Sequence, residues 1–393
     1  MKKRLLFGFI IINSTLFFGQ SVTKTIQLLP DTGQTSSYTA SFGEDQDYLI
    51  NTPSYTNNGN GTITDNVTGL MWQQVDGGEM TIENAAIYCD GLSLGGFSDW
   101  RLPTPIESFS ILNHQNSNPA INTTYFTLTA AEYWWTSVYE KDSATKVWCT
   151  NAGGGIGNHP KAETISADGL KKFHARAVRN TNAPATIANH FTDNGDGTIT
   201  DNLTQLIWQK TPNSNAQTWE QALAYAEGLT IESMSDWRLP NIKELQSLNN
   251  ELATNPSVFA PYFSSLGVHN YWSSTTLPNQ TLNAWYWSTI FGITTYSAKT
   301  STNYVVCVRG NPVLSINKYN NTSSIEVFPN PFHFNINVKT LTGNEYFELY
   351  SNLGQIIYKG KSIENQDFST LPKGIYFLKI SDKTTSITKL IKE

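Results

Sequence analysis

Eleven tryptophans, six histidines and three cysteines are the side chains through which this 393-residue chain could act on another molecule. The histidines, His114, His159, His174, His190, His269 and His333, form no His-x-x-x-His pair and no glutamate-flanked zinc spacing. No glycine-rich loop has the spacing that cradles a phosphate. Carboxylate pairs for glycoside hydrolysis meet in space and not along the chain, so the sequence leaves that chemistry open. The Asp-Gly-Thr-Ile-Thr segments at 196–200 imitate a calcium loop. With Gly197 in the sixth place of such a loop, the first and twelfth fall on Thr192 and Leu203, and in the earlier copy of the motif on Thr56 and Val67. Calcium needs Asp at the first and Glu at the twelfth. A hairpin is therefore expected, with Asp65 and Asp201 bonding backbone groups of the turn. No metal and no cofactor is implied.

Composition narrows the function classes. Charged residues make up only 15% and aromatics 12%, which suits packed cores and argues against disorder. The net charge is −6, so neither nucleic acid nor an anionic membrane is an expected partner. Lys2, Lys3 and Arg4 precede the apolar run Leu5–Ile12, and a small residue, Gly19, follows. That pattern reads as a secretory signal peptide over 1–20. It is too short and interrupted for a membrane span, and the mature chain is expected to have none.

The elements that position these residues come in duplicate. The motif Tyr55-Thr-Asn-Asn-Gly-Asn-Gly-Thr-Ile-Thr-Asp recurs as Phe191-Thr-Asp-Asn-Gly-Asp-Gly-Thr-Ile-Thr-Asp, and Ser98-Asp-Trp-Arg-Leu-Pro103 recurs as Ser235-Asp-Trp-Arg-Leu-Pro240. Trp135 matches Trp272 and Trp148 matches Trp285, at the same spacing of 137 as Arg101 and Arg238. Each copy reads as a hairpin turning at Asn60-Gly61 or Asp196-Gly197, a helix from Thr81 or Thr218, and a second helix capped by Thr104…Glu107 or Asn241…Glu244. Short strands rich in Trp, Tyr, Thr and Val follow. Two helices on a small antiparallel sheet make an α+β module.

The Asp-Gly-Thr-Ile-Thr-Asp hairpin and closing Cys-Val-Arg-Gly of the second copy, the Leu-Met-Trp-Gln strand of the first, Asp-Trp-Arg-Leu-Pro in both and Tyr-Trp-Ser-Ser at 271–274, with their counterparts in the other copy, make each module resemble the C-terminal domain of the Legionella collagen-like adhesin family. The resemblance implies a C-type-lectin-like fold, with glycan binding for some members. Sugar binding through calcium in such folds uses Glu-Pro-Asn or Gln-Pro-Asp followed by Trp-Asn-Asp, and neither triplet occurs. The resemblance also implies a cysteine pair between the first helix and the last strand. Here the first copy has Cys89 but Ala177, and the second Cys307 but Ala226, so that pair cannot form in either. Cys89 is left to reach Cys149, or all three thiols stay buried as small apolar groups, which is the expectation. Trp72, Trp208, Trp100 and Trp237 are read as core, as are Trp135 and Trp272. Arg101 and Arg238 are read as loop anchors on backbone carbonyls. Ligand contacts are assigned to Trp134, Trp148, Asn151, Trp285, Trp287 and Phe291, in or beside the segments where the copies diverge. Each module counts about four more acidic than basic residues, which argues against polyanions.

The tail differs. Phe328-Pro-Asn-Pro331, Asn352-Leu-Gly-Gln355, Leu371-Pro-Lys-Gly-Ile-Tyr376 and Lys389-Leu-Ile-Lys392 resemble the type IX secretion sorting domain, which implies export through that machinery and release or surface attachment. Short alternating strands predict an all-β sandwich. The reading is thus a signal peptide at 1–20, lectin-like modules at 51–180 and 188–310, a linker at 311–324 and the sorting domain at 325–393. The expected function is an adhesin-like protein that recognises a glycan or protein without catalysis. An extracellular polysaccharide-acting enzyme and an envelope structural protein are the alternatives.

Overall fold

The computed structural model describes residues 21–127, 131–141, 143–164, 172–310, 326–339, 345–351, 355–381 and 385–393. The assigned signal peptide and linker lie outside the described residues. The chain divides into two compact units, Met1–Val313 and Leu314–Glu393, both dominated by strands.

In the first unit, β1 (Val22–Lys24) precedes the first module. That module contains β2 (Tyr55–Asn57), β3 (Thr62–Asp65), β4 (Leu70–Gln73), α1 (Ile82–Asp90), α2 (Pro105–Ser110), β5 (Tyr133–Tyr139), β6 (Lys146–Asn151), β7 (Ile156–Pro160), β8 (Phe173–His174) and β9 (Val178–Asn180). After β10 (Ala185–Ile187) the plan repeats as β11 (Phe191–Asp193), β12 (Thr198–Asp201), β13 (Ile207–Gln209), α3 (Trp219–Gly228), α4 (Ile242–Ser247), β14 (Asn270–Thr276), β15 (Asn283–Ser288), β16 (Ile293–Ala298) and β17 (Val308–Arg309). Each module closes its N-terminal hairpin with its last strand, in the orders β2-β3-β4-β9 and β11-β12-β13-β17. The second sheets are β7-β6-β5-β8 and β14-β15-β16.

Local chemistry accounts for the duplicated elements. Asp65 Oδ1 accepts from the amides of Val67 and Thr68, and Asp201 Oδ1 from Leu203 and Thr204, so both carboxylates tie a turn. The helices α2 and α4 start with capping boxes, Thr104–Glu107 and Asn241–Glu244. The arginines of Asp-Trp-Arg-Leu-Pro do not act mainly through carbonyls, as their sequence context implied. Arg101 grips Glu107 with two bonds of 2.7 Å, and Arg238 grips Glu244 at 2.6 and 2.5 Å. A capping glutamate still has lone pairs to offer, and a planar guanidinium fits both its oxygens. The loop is thereby locked to the helix that follows it.

Trp72, Trp208, Trp100, Trp237, Trp135 and Trp272 are all core residues. Cys89, Cys149 and Cys307 are free and buried. Burial raises all three thiols, Cys89 to about 12, so none is a nucleophile in the folded chain.

Residues 21–50, which the sequence reading gave to neither module, form a strap. Strand β1 pairs with β10 between the modules. Further on, Asp31 and Asp45 are almost fully buried against the second module. Thr32 and Thr275 donate their hydroxyls to Asp45 Oδ2, and Asn241 Nδ2 donates to Asp31 Oδ1. Lys243, itself buried, donates to the carbonyls of Asp31 (2.8 Å) and Ser110 (2.7 Å), linking strap, first module and second module. Burial lowers this ammonium to about 8 and raises Asp45 to about 6.

The modules also share one apolar cluster. Phe109, Trp134 and Trp148 of the first pack with Ile242, Leu277 and Trp285 of the second. Trp148 and Trp285 are repeat equivalents, so the same position of each copy faces the junction.

The second unit has a ribbon of β18 (Glu326–Phe328) and β19 (Asn337–Lys339). Its four-stranded antiparallel sheet runs β21-β20-β22-β23, with β20 (Tyr346–Ser351), β21 (Ile356–Gly360), β22 (Gly374–Ser381) and β23 (Thr385–Lys392). Phe332, Ile336, Leu349, Leu378 and Leu390 are buried between the elements.

Candidate functional site

The divergent segments of the two copies meet at the module junction and leave a cleft of about 590 Å³. Its first wall is built on a glycine loop after β6. Asn151 Oδ1 accepts from the amides of Gly153 (3.0 Å) and Gly155 (3.1 Å), folding the loop over its own side chain. Gly154 has φ +103°, and a Cβ there would lie 3.2 Å from Trp285 and 3.3 Å from His114, so only glycine fits. Asn118, in the left-handed region at φ +46°, is held by its amide to Ala152 O at 3.1 Å. Glu132 and Tyr133 complete this side.

Residues of the second module form the opposite wall. They are Asn279 and Gln280 in the β14–β15 turn, and Thr294, Thr295 and Tyr296 on β16, with Trp285 at the base. The walls are pinned together where Ile156 N donates to Thr294 Oγ1 at 3.0 Å. His114 lies edge-on to Trp285 and donates from Nε2 to Gly154 O, and burial lowers it to about 3, so it stays neutral. The side chains of Asn118, Glu132 and Asn279 have no hydrogen-bond partner among the described residues, and Tyr296 is 43% exposed. The described lining thus offers amides, hydroxyls, one carboxylate and aromatic rings, with no lysine or arginine.

The six residues assigned to ligand contact are distributed unevenly. Asn151 lies in the cleft wall and Trp285 at its base. Trp134 and Trp148 are buried in the junction cluster, and Trp287 in the core of the second module. Phe291 is 57% exposed in the β15–β16 turn, outside the cleft. The buried rings present no face for stacking, since the strands that carry them turn inward toward the other copy. Sequence reasoning missed Asn118, Glu132, Asn279 and Gln280, whose only signal was membership of segments without apolar periodicity, and Tyr296, which lies on β16.

Two other arrangements have the residue types of a reactive site. His174 Nδ1 donates to Asp76 Oδ1 at 2.7 Å, but Trp134 Nε1 and Arg176 bond the other oxygen, and the group is buried as a structural tie. Gly91-Leu-Ser-Leu-Gly95 has the spacing of a nucleophile elbow, which needs a strand before it and a helix after. Here α1 precedes Ser93 and an isolated bridge, Leu94–Phe97, follows. Among the described residues, no three His, Cys, Asp or Glu side chains gather as a metal set.

Two copies of one β-rich module joined face to face, followed by a separate strand-built unit, define a tandem-module protein carrying its own C-terminal domain. Residues 61–179 and 197–309 each match the Lcl C-terminal domain, and the chain belongs to that family. Residues 326–393 match the secretion system C-terminal sorting domain. No curated protein matches the chain. The sorting domain marks an exported protein, handled by the type IX secretion machinery and either released or attached at the cell surface. Among the described residues no helix is long and apolar enough to cross a membrane.

Proposed function

We propose that the chain is an extracellular binding protein whose junction cleft takes a neutral, hydroxyl-rich ligand, a glycan segment, without turning it over. The observation that carries this reading is the lining: unpartnered amides and a carboxylate facing an exposed tyrosine across a cleft of ligand size. Sugar hydroxyls both donate and accept, which side-chain amides satisfy in pairs, and sugar rings present apolar faces that stack on tyrosine. The described lining holds no cation, which gives sulfated or phosphorylated polymers no counter-charge there. Glu132 is the single carboxylate of the described lining, whereas glycoside hydrolysis uses two, which supports binding over catalysis. The C-type-lectin-like fold that the sequence motifs imply for each module fits this reading, each module lending one wall.

The test is a glycan array probed with the full exported chain, with and without chelator, followed by titration of the best hit. Chelator-independent binding that Tyr296→Ala weakens about tenfold, the cost of one lost stacking contact of about 1.4 kcal/mol, is expected. Binding abolished by chelator would restore calcium. Release of a shortened sugar would make the chain an enzyme.

A further inference from the structure

We propose that a groove over α1 in the first module is a docking site for an extended polypeptide segment of a partner protein, anchored by an aromatic residue. The structure supplies its own precedent. In the second module the equivalent groove is filled by the chain's strap. Tyr48 hydroxyl donates to Glu227 Oε1 at 2.5 Å, while its ring lies 5.5 Å from the Arg238 guanidinium. Gln34 pairs with both backbone groups of Thr276, donating to its carbonyl at 3.0 Å and accepting from its amide at 3.2 Å. Glu44 and Asp45 accept the hydroxyls of Thr276 and Thr275.

Subtracting the repeat spacing of 137 carries Glu227, Arg238 and Thr276 onto Asp90, Arg101 and Tyr139 of the first module. Those three residues line an open groove of about 630 Å³, together with Ile82, Ile87 and Leu102. No described segment covers it. The equivalent arginines record the difference: the Arg238 side chain is 5% exposed under the strap, and that of Arg101 is 36% exposed. Ile87, at 72% exposure, is among the most exposed large apolar side chains of the chain. The first module thus keeps the charged pair that receives a tyrosine in the second, but leaves it empty.

The lining also indicates what kind of segment fits. Thr275 and Thr276, which hold the strap's acidic residues, are replaced by Val138 and Tyr139, and Trp219 by Ile82. Asp45 of a second copy would face Val138 and lose its hydroxyl donor there, Glu44 would meet the larger Tyr139 in place of Thr276, and each copy's strap is already committed to its own second module. The occupant is therefore a foreign segment, apolar where the strap is acidic, with a tyrosine-like anchor between Arg101 and Asp90. This site is separate from the junction cleft, and its test does not depend on a glycan.

The probe is a fluorescein-labelled peptide of residues 38–50 carrying Glu44→Val and Asp45→Leu, titrated into the full chain by anisotropy. Saturable binding is expected, with amide exchange slowed in 82–90 and 101–104. Ile87→Asp places a charge in the groove and should weaken binding at least about tenfold. Because Ile87 is exposed, that variant keeps the wild-type melting temperature, which is measured alongside. Absence of saturable binding would overturn the proposal. So would binding untouched by Ile87→Asp, or protection at 219–228, where the peptide would be displacing the chain's own strap. Concentration-dependent self-association lost in Ile87→Asp would assign the groove to a second copy and overturn it as well.

Discussion

Replacing Trp148 by alanine separates the two roles this residue could have. Its ring is 2% exposed and packs with Phe109, Trp134, Ile242 and Trp285 at the module junction. The indole N–H has no hydrogen-bond partner among the described residues, so the loss is one of packing alone. Truncating a buried tryptophan costs about 3–5 kcal/mol, as transfer free energy plus a cavity that rigid neighbours fill only in part. For a unit somewhat larger than 250 residues, about 2 °C of melting temperature per kcal/mol gives a drop of roughly 6–10 °C. Trp148→Phe removes the unpaired donor, relieving a desolvation cost of about 1–3 kcal/mol while leaving a smaller cavity. It should lower the melting temperature by less than half as much. Scanning calorimetry of the full chain reads both values. A Trp148→Ala protein that melts within about 2 °C of the wild type, with iodide quenching one fewer tryptophan, would place the ring at the surface and refute the junction packing.

The strap should make stability fall with pH. Burial raises Asp45 from 3.8 to about 6, so the folded chain holds a proton that the unfolded chain loses first. The stabilisation is complete below about pH 4 and is lost as pH rises through about 6. Lys243, lowered to about 8, contributes in the opposite sense only above that pH. Burial raises the neighbouring Asp31 to about 9, which adds a fall of the same sign over this range. Asp45→Asn should therefore reduce the slope of melting temperature between pH 4 and 6 without abolishing it, and an unchanged slope would exclude this carboxyl as a source. Gly292 has φ +70°, and a Cβ there would sit 2.2 Å from Asn249 Oδ1. Gly292→Ala should therefore cost about 1–3 kcal/mol in urea unfolding, and a neutral result would contradict the turn geometry. All three thiols should resist Ellman's reagent at pH 8 in the folded chain and react fully in guanidinium. Rapid labelling of any one would contradict its burial.

Much of the module was legible because its signals are local. Asn60-Gly61 and Asp196-Gly197 specify hairpins by backbone conformation alone, and Thr104…Glu107 marks a helix start by its own hydrogen bonds. The duplicated tryptophans identified the cores. What escaped depends on how distant parts meet. Asp31 and Asp45 lie in a segment rich in Ser, Thr, Gly and Asp that reads as solvated, and partners far along the chain, Thr275, Asn241 and Lys243, join Thr32 of the strap in making their burial tolerable. Nothing near Trp148 or Trp285 tells a ring facing ligand from one facing its own repeat, because both need an aromatic on an outward strand face. The cleft follows from that junction, so Asn118, Glu132 and Tyr296 could not be grouped before the modules were placed together. The arginines were assigned a loop-anchoring role correctly, but their partner glutamates were read only as caps.

The proposed ligand lies between the modules. Amide hydrogen exchange on the full chain, with and without a saturating glycan from the array, tests it most directly. Slowed exchange is expected together in 117–119, 151–155, 277–280 and 294–296, one stretch from each part of both walls. Protection confined to one module, or centred on the Phe291 turn, would contradict it.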